Sequence, residues 1–246
     1  MLKEIKSSNN DYIKELSKLK NKKNRDLEGK FLVEGYHLIE MAANYLETIL
    51  ITDLKDLNII PNKKYILVTK EIISKLSSTQ TPQGIIGVAH KKIEKIDNGN
   101  ILILDNVQDP NNVGTLIRSA LAFGINNIIF SQDCVDIYND KVIRGSQGSI
   151  FKINYLYCDL IEKIQELKKD NYVIYGTSLK NGKELNSIII QNHFAIILGN
   201  EGQGVREEIL DMTDANIYIS ISKQIDSLNV AVAGSILMYE LGKNKK

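Results

Sequence analysis

Three short stretches of this chain hold the side chains best suited to chemistry. They are Arg118 in "NVGTLIRSA", Glu201 in "ILGNEGQGV", and Ser227 with Asn229 in "IDSLNVAVAGS". Arg118 is a permanent cation, able to hold a phosphate or to stabilise an anion that develops during a reaction. Glu201 sits inside a glycine-rich turn, between Gly199 and the pair Gly202 and Gly204. A dinucleotide loop reads G-x-G-x-x-G after the first strand of its fold, whereas here the order is G-x-x-G-x-G after a late strand. The phosphate loop G-x-x-x-x-G-K-[ST] is absent, and Glu201 would repel a pyrophosphate. The loop suits a ligand that accepts backbone contacts and carries little negative charge. Each stretch also has an ordinary reading: a solvated helix arginine, a tight connection, a serine cap on the last helix.

The elements that must position these residues follow from periodicity. Val113, Leu116, Ile117, Ala120 and Leu121 repeat as one buried helix face over Val113–Phe123. Arg118 lies roughly 130° from the centre of that stripe at 100° per residue. Pro110 and Asn111–Asn112 ahead of it predict a turn and a cap. Strands are expected at Ile101–Val107, Asn127–Ser131, Tyr172–Thr177, Phe194–Leu198 and Asn216–Ile221. Helices are expected at Val113–Phe123, Leu160–Lys169, Val205–Met212 and Leu228–Leu241. This alternation predicts a mostly parallel sheet covered on both faces, with ligands beyond the carboxyl ends of its strands. The last helix is apolar on nearly every face, so it must be buried in a core or a subunit interface.

Before residue 91 the pattern is a smaller α/β layer, starting with a helix over about Asn10–Lys20. "HKKIEKIDNGN" interrupts it with charge, Asn and Gly. The expected boundary falls there, giving domains 1–95 and 96–246. The net charge of +1 conceals an asymmetry: residues 1–100 carry 17 Lys and Arg against 13 Asp and Glu, and residues 101–246 carry 14 against 17. The basic side is densest at "KLKNKKNR", where Lys22, Lys23 and Arg25 are candidate phosphate contacts. With 43% hydrophobic and 25% charged residues the chain reads as an ordinary soluble protein. No apolar run approaches the roughly 18 residues that cross a membrane, and the N-terminus lacks the apolar core of a secretion signal. Cys134 and Cys158 fall at no metal-like spacing, so a reduced cytoplasmic protein without a metal site is expected.

Taken together and in order, "NVGTLIRSA", "ILGNEGQGV" and "IDSLNVAVAGSILMYE" resemble the three motifs of the SpoU (TrmH-like) family of RNA ribose 2′-O-methyltransferases. The resemblance spans residues 101–246. "NRDLEGKFLVEGYHLIEMA" and "TPQGIIGVA" are similar, more loosely, to the L30e-like RNA-binding domain that many members carry. The resemblance implies a small L30e-like α/β domain followed by a SPOUT-type α/β domain. It also implies a C-terminal trefoil knot, which pattern reading alone would never choose, and a homodimer. The implied cofactor is S-adenosylmethionine, which has no phosphate and a cationic sulfonium, consistent with the glycine loop. Gly199, Ile219 and Leu228 match the family's cofactor contacts; Thr177 in "YGTSLKNG" and Asn200 join them. The sequence departs from many relatives at Ala231, where they have Ser.

The implied reaction is in-line transfer of a methyl group to a ribose oxygen, and its difficulty lies in the weakly acidic hydroxyl. None of His37, His90 and His193 falls within the three motifs. Arg118 matches the family's arginine at the reaction centre. Its pKa, above about 12, makes it an awkward base. It can stabilise the developing alkoxide, orient the neighbouring phosphate, or relay the proton through that phosphate; the electrostatic role is expected. By the same resemblance Asn112 holds Arg118 or the RNA, Glu201 orients the arginine or a cofactor group, and Ser227 and Asn229 line the pocket. Arg144 in "KVIRGSQGSIFKI" is a further candidate RNA contact. The appended domain favours 23S ribosomal RNA as substrate; transfer RNA, or an inactive RNA-binding protein of the same fold, are the alternatives. A dinucleotide oxidoreductase fails on the glycine spacing.

Overall fold

A computed structural model describes residues 2–189, 191 and 193–242. In chain order the first elements are β1 (Lys3–Ile5), α1 (Asp11–Lys18), α2 (Lys22–Glu28), β2 (Lys30–Glu34), α3 (Tyr36–Met41), β3 (Leu46–Ile51), β4 (Lys64–Val68), α4 (Lys70–Leu76) and β5 (Ile85–His90). There follow β6 (Ile101–Leu104), α5 (Pro110–Ala122), β7 (Asn127–Phe130), α6 (Asp140–Gly145), β8 (Asn154–Tyr157), α7 (Leu160–Lys169) and β9 (Val173–Thr177). The last are β10 (Lys183–Glu184), β11 (Phe194–Leu198), α8 (Glu207–Leu210), β12 (Ala215–Tyr218) and α9 (Val230–Gly242).

The chain divides into two compact units. The first takes the residues up to Ile93 together with 138–151; the second takes 94–137 and everything from Lys152 onward. The linear division expected from sequence leaves 138–151 in the second domain, but its aromatic residues anchor it in the first unit. Tyr138 packs 4.4 Å from the ring of Phe31, and Phe151 stacks on Tyr45 at 5.8 Å. The Tyr138 hydroxyl accepts a hydrogen bond from the Lys92 amide at 2.7 Å. Tyr138 and Phe151 lie outside the α-helices and strands, so sequence periodicity did not show these contacts.

The first unit is built on a five-stranded mixed sheet in the order β1-β4-β3-β5-β2. Ile13 and Leu16 of α1 and Ile72, Ile73 and Leu76 of α4 pack with Leu50 and Ile66 of the sheet. The basic stretch forms a helix of its own, α2. Asn21 caps its start by accepting from the Lys23 amide, and Gly29 ends it in the left-handed conformation at φ +62°.

The second unit holds a seven-stranded sheet, β10-β12-β9-β11-β6-β7-β8, in which every pairing is parallel. Its central strands read "ILIL" and "FAIIL" and are buried along their whole length, as a sheet covered on both faces requires. Ile101, Ile103, Ala195 and Ile197 share a core with Leu160 and Ile164 of α7. Several expected elements are shorter than predicted: β6 stops at Leu104, β12 at Tyr218, and α8 covers only Glu207–Leu210. At each shortened end the residues turn into a loop. Because the strands are parallel, the loops after β6, β9, β11 and β12 all leave the same edge of the sheet.

The opposite face of β11 is covered by α5 and α9. Ser119 and Ser235 hydroxyls meet at 2.7 Å, and Phe123 and Tyr239 make an edge-on ring pair at 5.6 Å. Gly234 permits this approach. A Cβ there would lie 2.4 Å from Leu198 Cδ1 and 2.6 Å from Leu116 Cδ2. Gly234→Ala is therefore expected to destabilise by about 1–3 kcal/mol through overpacking, read as a lower urea midpoint at unchanged slope.

Candidate active site

Asn112, on the first turn of α5, has a side chain only 7% exposed. Its Nδ2 donates to Glu201 Oε1 at 3.0 Å, and its Oδ1 accepts from Asn229 Nδ2 at 2.9 Å. Asn229 in turn accepts from the amides of Ala231 at 2.9 Å and Val232 at 3.3 Å, so it caps α9. The cap predicted at Ser227 is thereby corrected. Ser227 is exposed and lies two residues ahead of Asn229, whose side chain takes those amides. The amide network has one consistent direction. Helix N–H groups fix Asn229 Oδ1 as an acceptor, which makes its amino group a donor to Asn112 and leaves the Asn112 amino group for a carboxylate. The structure thus joins three of the five expected catalytic residues, one from each motif.

Glu201 meets more donors than Asn112 alone. The Asp109 amide donates to it at 3.1 Å and the Gln108 amide at 3.5 Å. These are the residues just ahead of α5, whose cap is Asp109 with Pro110 in the first turn. Burial pushes the Glu201 carboxyl up, but hydrogen bonds from Asn112, its own amide, Asp109 and Gln108 outweigh it and set the pKa below the usual carboxylate value. Glu201 was expected to orient Arg118 or a cofactor group; no hydrogen bond or ion pair joins it to Arg118 among the described residues, and its carboxylate holds the turn that begins α5.

Arg118 is exposed, as the helical period predicts, and has no hydrogen-bond or ion-pair partner among the described residues. The other three arginines are committed. Arg25 is 6% exposed, and its guanidinium donates to the carbonyls of Leu19 and Lys20 at 3.0 and 2.9 Å. Its predicted RNA contact is corrected to an internal one that closes the α1–α2 turn. Arg144 pairs with Asp140 at 2.8 Å in the first unit, beside a polar cleft lined by His37, Thr81, Gln83 and Gln147. Arg206 pairs with Asp105 at 2.9 Å. Lys22 and Lys23 are exposed at the start of α2.

A cleft in the second unit is lined by Thr177, Ile217, Ile219, Ser227, Leu228 and Leu237, with Asp226 at the same site. Of the expected cofactor residues it gathers Thr177, Ile219 and Leu228. Gly199 and Asn200 lie outside this lining and close the adjacent loop. The Asn200 amide and carbonyl bond to Gly204 at 3.0 and 2.9 Å, and its side chain donates to the Asn106 carbonyl. The fold-back leaves no space at Gly199, where a Cβ would lie 2.0 Å from Gly204 C and 2.1 Å from Val205 N. Asn200, expected as a cofactor contact, closes the loop beside the cleft. Among the described residues no Lys or Arg lines the cleft, and Asp226 supplies a carboxylate. Apolar walls with hydroxyls and one negative charge fit a cationic sulfonium bearing an uncharged nucleoside, and would be wrong for a pyrophosphate.

Pattern reading missed Asp105, Asn106 and Asp226. Only the position of "LDN" at the end of a parallel strand pointed to the first two.

A polar hub on the carboxyl edge of a parallel sheet, next to an apolar cleft with no Lys or Arg among its described lining, fits an α/β enzyme that holds a nucleoside-bearing ligand without phosphate. The SpoU rRNA Methylase family model matches residues 99–239, and a model of an MRM3-like substrate binding domain matches residues 10–87. The chain is 37% identical over 246 residues to the Bacillus subtilis (strain 168) 23S rRNA (guanosine(2553)-2′-O)-methyltransferase RlmP, covering 98% of this chain and 99% of that protein. It resembles the AdoMet-bound rRNA methyltransferase from Sinorhizobium meliloti with a TM-score of 0.89 and 25% identity, over 99% and 98% of the two chains. An RNA 2′-O ribose methyltransferase aligns with a TM-score of 0.84 and 28% identity, over 98% and 99%. The chain belongs to the SpoU rRNA methylase family. It is an S-adenosylmethionine-dependent RNA 2′-O-ribose methyltransferase.

Removing the Glu201 carboxylate leaves the buried Asn112 amide unmet. Glu201→Ala is expected to lower stability by about 1–3 kcal/mol at neutral pH. Because the folded carboxyl titrates below its unfolded value, its contribution is complete above that value and is lost as pH falls through the folded one. Urea unfolding at neutral pH and again in the acid carboxylate range should show the wild type and variant converging only in acid.

Proposed function

We propose that this enzyme methylates a ribose 2′-hydroxyl in 23S ribosomal RNA, and that Arg118 carries the charge stabilisation of the reaction. The observation that carries the reading is the exposed guanidinium of Arg118, six residues from Asn112 on the same helix, without a hydrogen-bond or ion-pair partner among the described residues while Arg25, Arg144 and Arg206 all have theirs. An unpaired cation can bind a phosphate or alkoxide without first losing a protein contact.

Bound S-adenosylmethionine supplies an electrophilic methyl group on a good leaving group. The chain must then position the ribose and favour loss of its proton as the C–O bond forms. Arg118 stabilises the developing alkoxide or the adjacent phosphate. Asn112 and Glu201 hold the start of α5 so that Arg118 is placed before substrate arrives. Leu228, in the cofactor cleft, directly precedes Asn229, so the cleft and the hub share one short segment. That return of the chain after β12 towards α5 agrees with the knot implied by the family.

Ribosomal rather than transfer RNA is favoured by the substrate-binding domain match and by the activity named for the Bacillus relative. Lys22 and Lys23 are proposed phosphate contacts. They stand in the first turn of a helix, where cations oppose the helix dipole, so local stability does not account for them. Arg144 is a proposed contact through its polar cleft. A homodimer is proposed through α9, whose exposed Val232, Ile236 and Tyr239 form one apolar face. Among the described residues no helix is long and apolar enough to cross a membrane, and action on ribosomal RNA would place the enzyme in the cytoplasm.

The test supplies methyl-labelled S-adenosylmethionine with unmodified ribosomal and transfer RNA. Label should enter 23S RNA at one alkali-resistant dinucleotide, and Arg118→Ala should lose about 10²–10³ in rate with cofactor affinity retained. Label entering transfer RNA alone, or a variant keeping over half the wild-type rate, would contradict the substrate or the arginine assignment respectively.

A further inference from the structure

We infer that the Asp105–Arg206 ion pair is a positioning device for the methyl-transfer reaction, fastening the loop that carries Glu201. Asp105 follows β6 directly and is 0% exposed. Its Oδ1 accepts from Arg206 Nε at 2.9 Å, and its Oδ2 accepts from the Arg206 backbone amide at 2.9 Å. Its own amide donates to the Leu198 carbonyl at 2.8 Å, extending the β6–β11 pairing by one residue. Both carboxylate oxygens are thus directed at one residue, through side chain and main chain together. A buried carboxylate persists only where its partners are this complete.

The position of the pair in the loop gives it a mechanical role. Residues 199–206 leave the sheet after β11 and are fastened at both ends to the two residues that follow β6. At the start, Asn200 Nδ2 donates to the Asn106 carbonyl at 2.9 Å; at the end, Arg206 grips Asp105. Asn106 takes φ +58°, a left-handed conformation, at the point where its carbonyl accepts from that loop. Between the two fastenings lies Glu201, reaching the turn before α5. Neither Asp105 nor Arg206 lines the cofactor cleft or contacts Asn112 or Asn229. Arg206 also pairs with Glu208 at 2.8 Å, which holds its guanidinium over the loop end. A pair that served stability alone would need no connection to Glu201. This one sets where the Glu201 carboxylate can be.

The inference rests on the methyltransferase reading of the site, and two independent measurements separate their failures. The first is steady-state methyl transfer by Arg206→Met and Arg206→Lys beside wild type, with cofactor affinity measured directly. Arg206→Met should lower kcat by about tenfold while KM for S-adenosylmethionine changes less than about twofold, as for an interaction that matters to the transition state. Arg206→Lys, which keeps the charge, should recover part of the loss. Unchanged kcat, or kcat and cofactor affinity falling together in both variants, overturns the inference. The second needs no turnover: amide exchange at Gly202 and Gln203, whose N–H groups bond to Asn200 Oδ1 at 2.9 and 3.2 Å. It should quicken in Arg206→Met with the strands of the sheet unaffected. Exchange unchanged in the loop, or quickened throughout the unit, overturns it even in a protein that transfers no methyl group. Should Arg206→Met fail to fold, Asp105→Asn, which keeps one acceptor and the side-chain volume, carries the same two measurements.

Discussion

The buried amide of Asn112 is the interaction on which the site depends. An asparagine side chain has one accepting and one donating end, and here both are used, on Asn229 and Glu201. That single group joins α5, the loop after β11 and the start of α9, which lie far apart in the chain. Any shift of one of them leaves a buried polar group unpaired, so the three move together or not at all.

The rest of the second unit can be read as support for that junction. Parallel strands deliver the loops to one edge, and buried strands such as "FAIIL" make the sheet stiff. Gly199 lets the loop after β11 fold back on itself, and Gly234 lets α9 approach α5 and β11. Asp105 and Asn106 hold that loop against the end of β6. With these internal contacts complete, Arg118 is left charged, exposed and unpaired among the described residues. The arrangement separates the residues that build the site from the one available to substrate.

Much of this was legible in the sequence, and the omissions have physical reasons. A mostly parallel sheet followed from apolar strands alternating with amphipathic helices, and the exposure of Arg118 followed from helical period. The three motifs identified the family, but not the direction of the contacts among them. Glu201 was expected to orient Arg118 or a cofactor group; its carboxylate meets Asn112 and the turn before α5, because the Gln108 and Asp109 amides and the Asn112 side chain offer it N–H donors there. Arg25 looked like part of a basic surface; its burial depends on the α1–α2 turn, which a run of Lys and Asn does not announce. The placement of 138–151 with the first unit depends on Tyr138 and Phe151 meeting Phe31 and Tyr45, contacts between residues far apart in sequence. The burial of Asp105 likewise required the position of Arg206.

The most direct measurement is a double-mutant cycle on kcat between Glu201→Gln and Asn229→Ala. The two side chains touch no common partner except Asn112. If that amide makes them one unit, the double variant should be barely slower than the worse single variant, a coupling of about 1 kcal/mol or more. Losses that simply multiply would show that Glu201 and Asn229 act independently, and would contradict the account of Asn112 as the junction of the site.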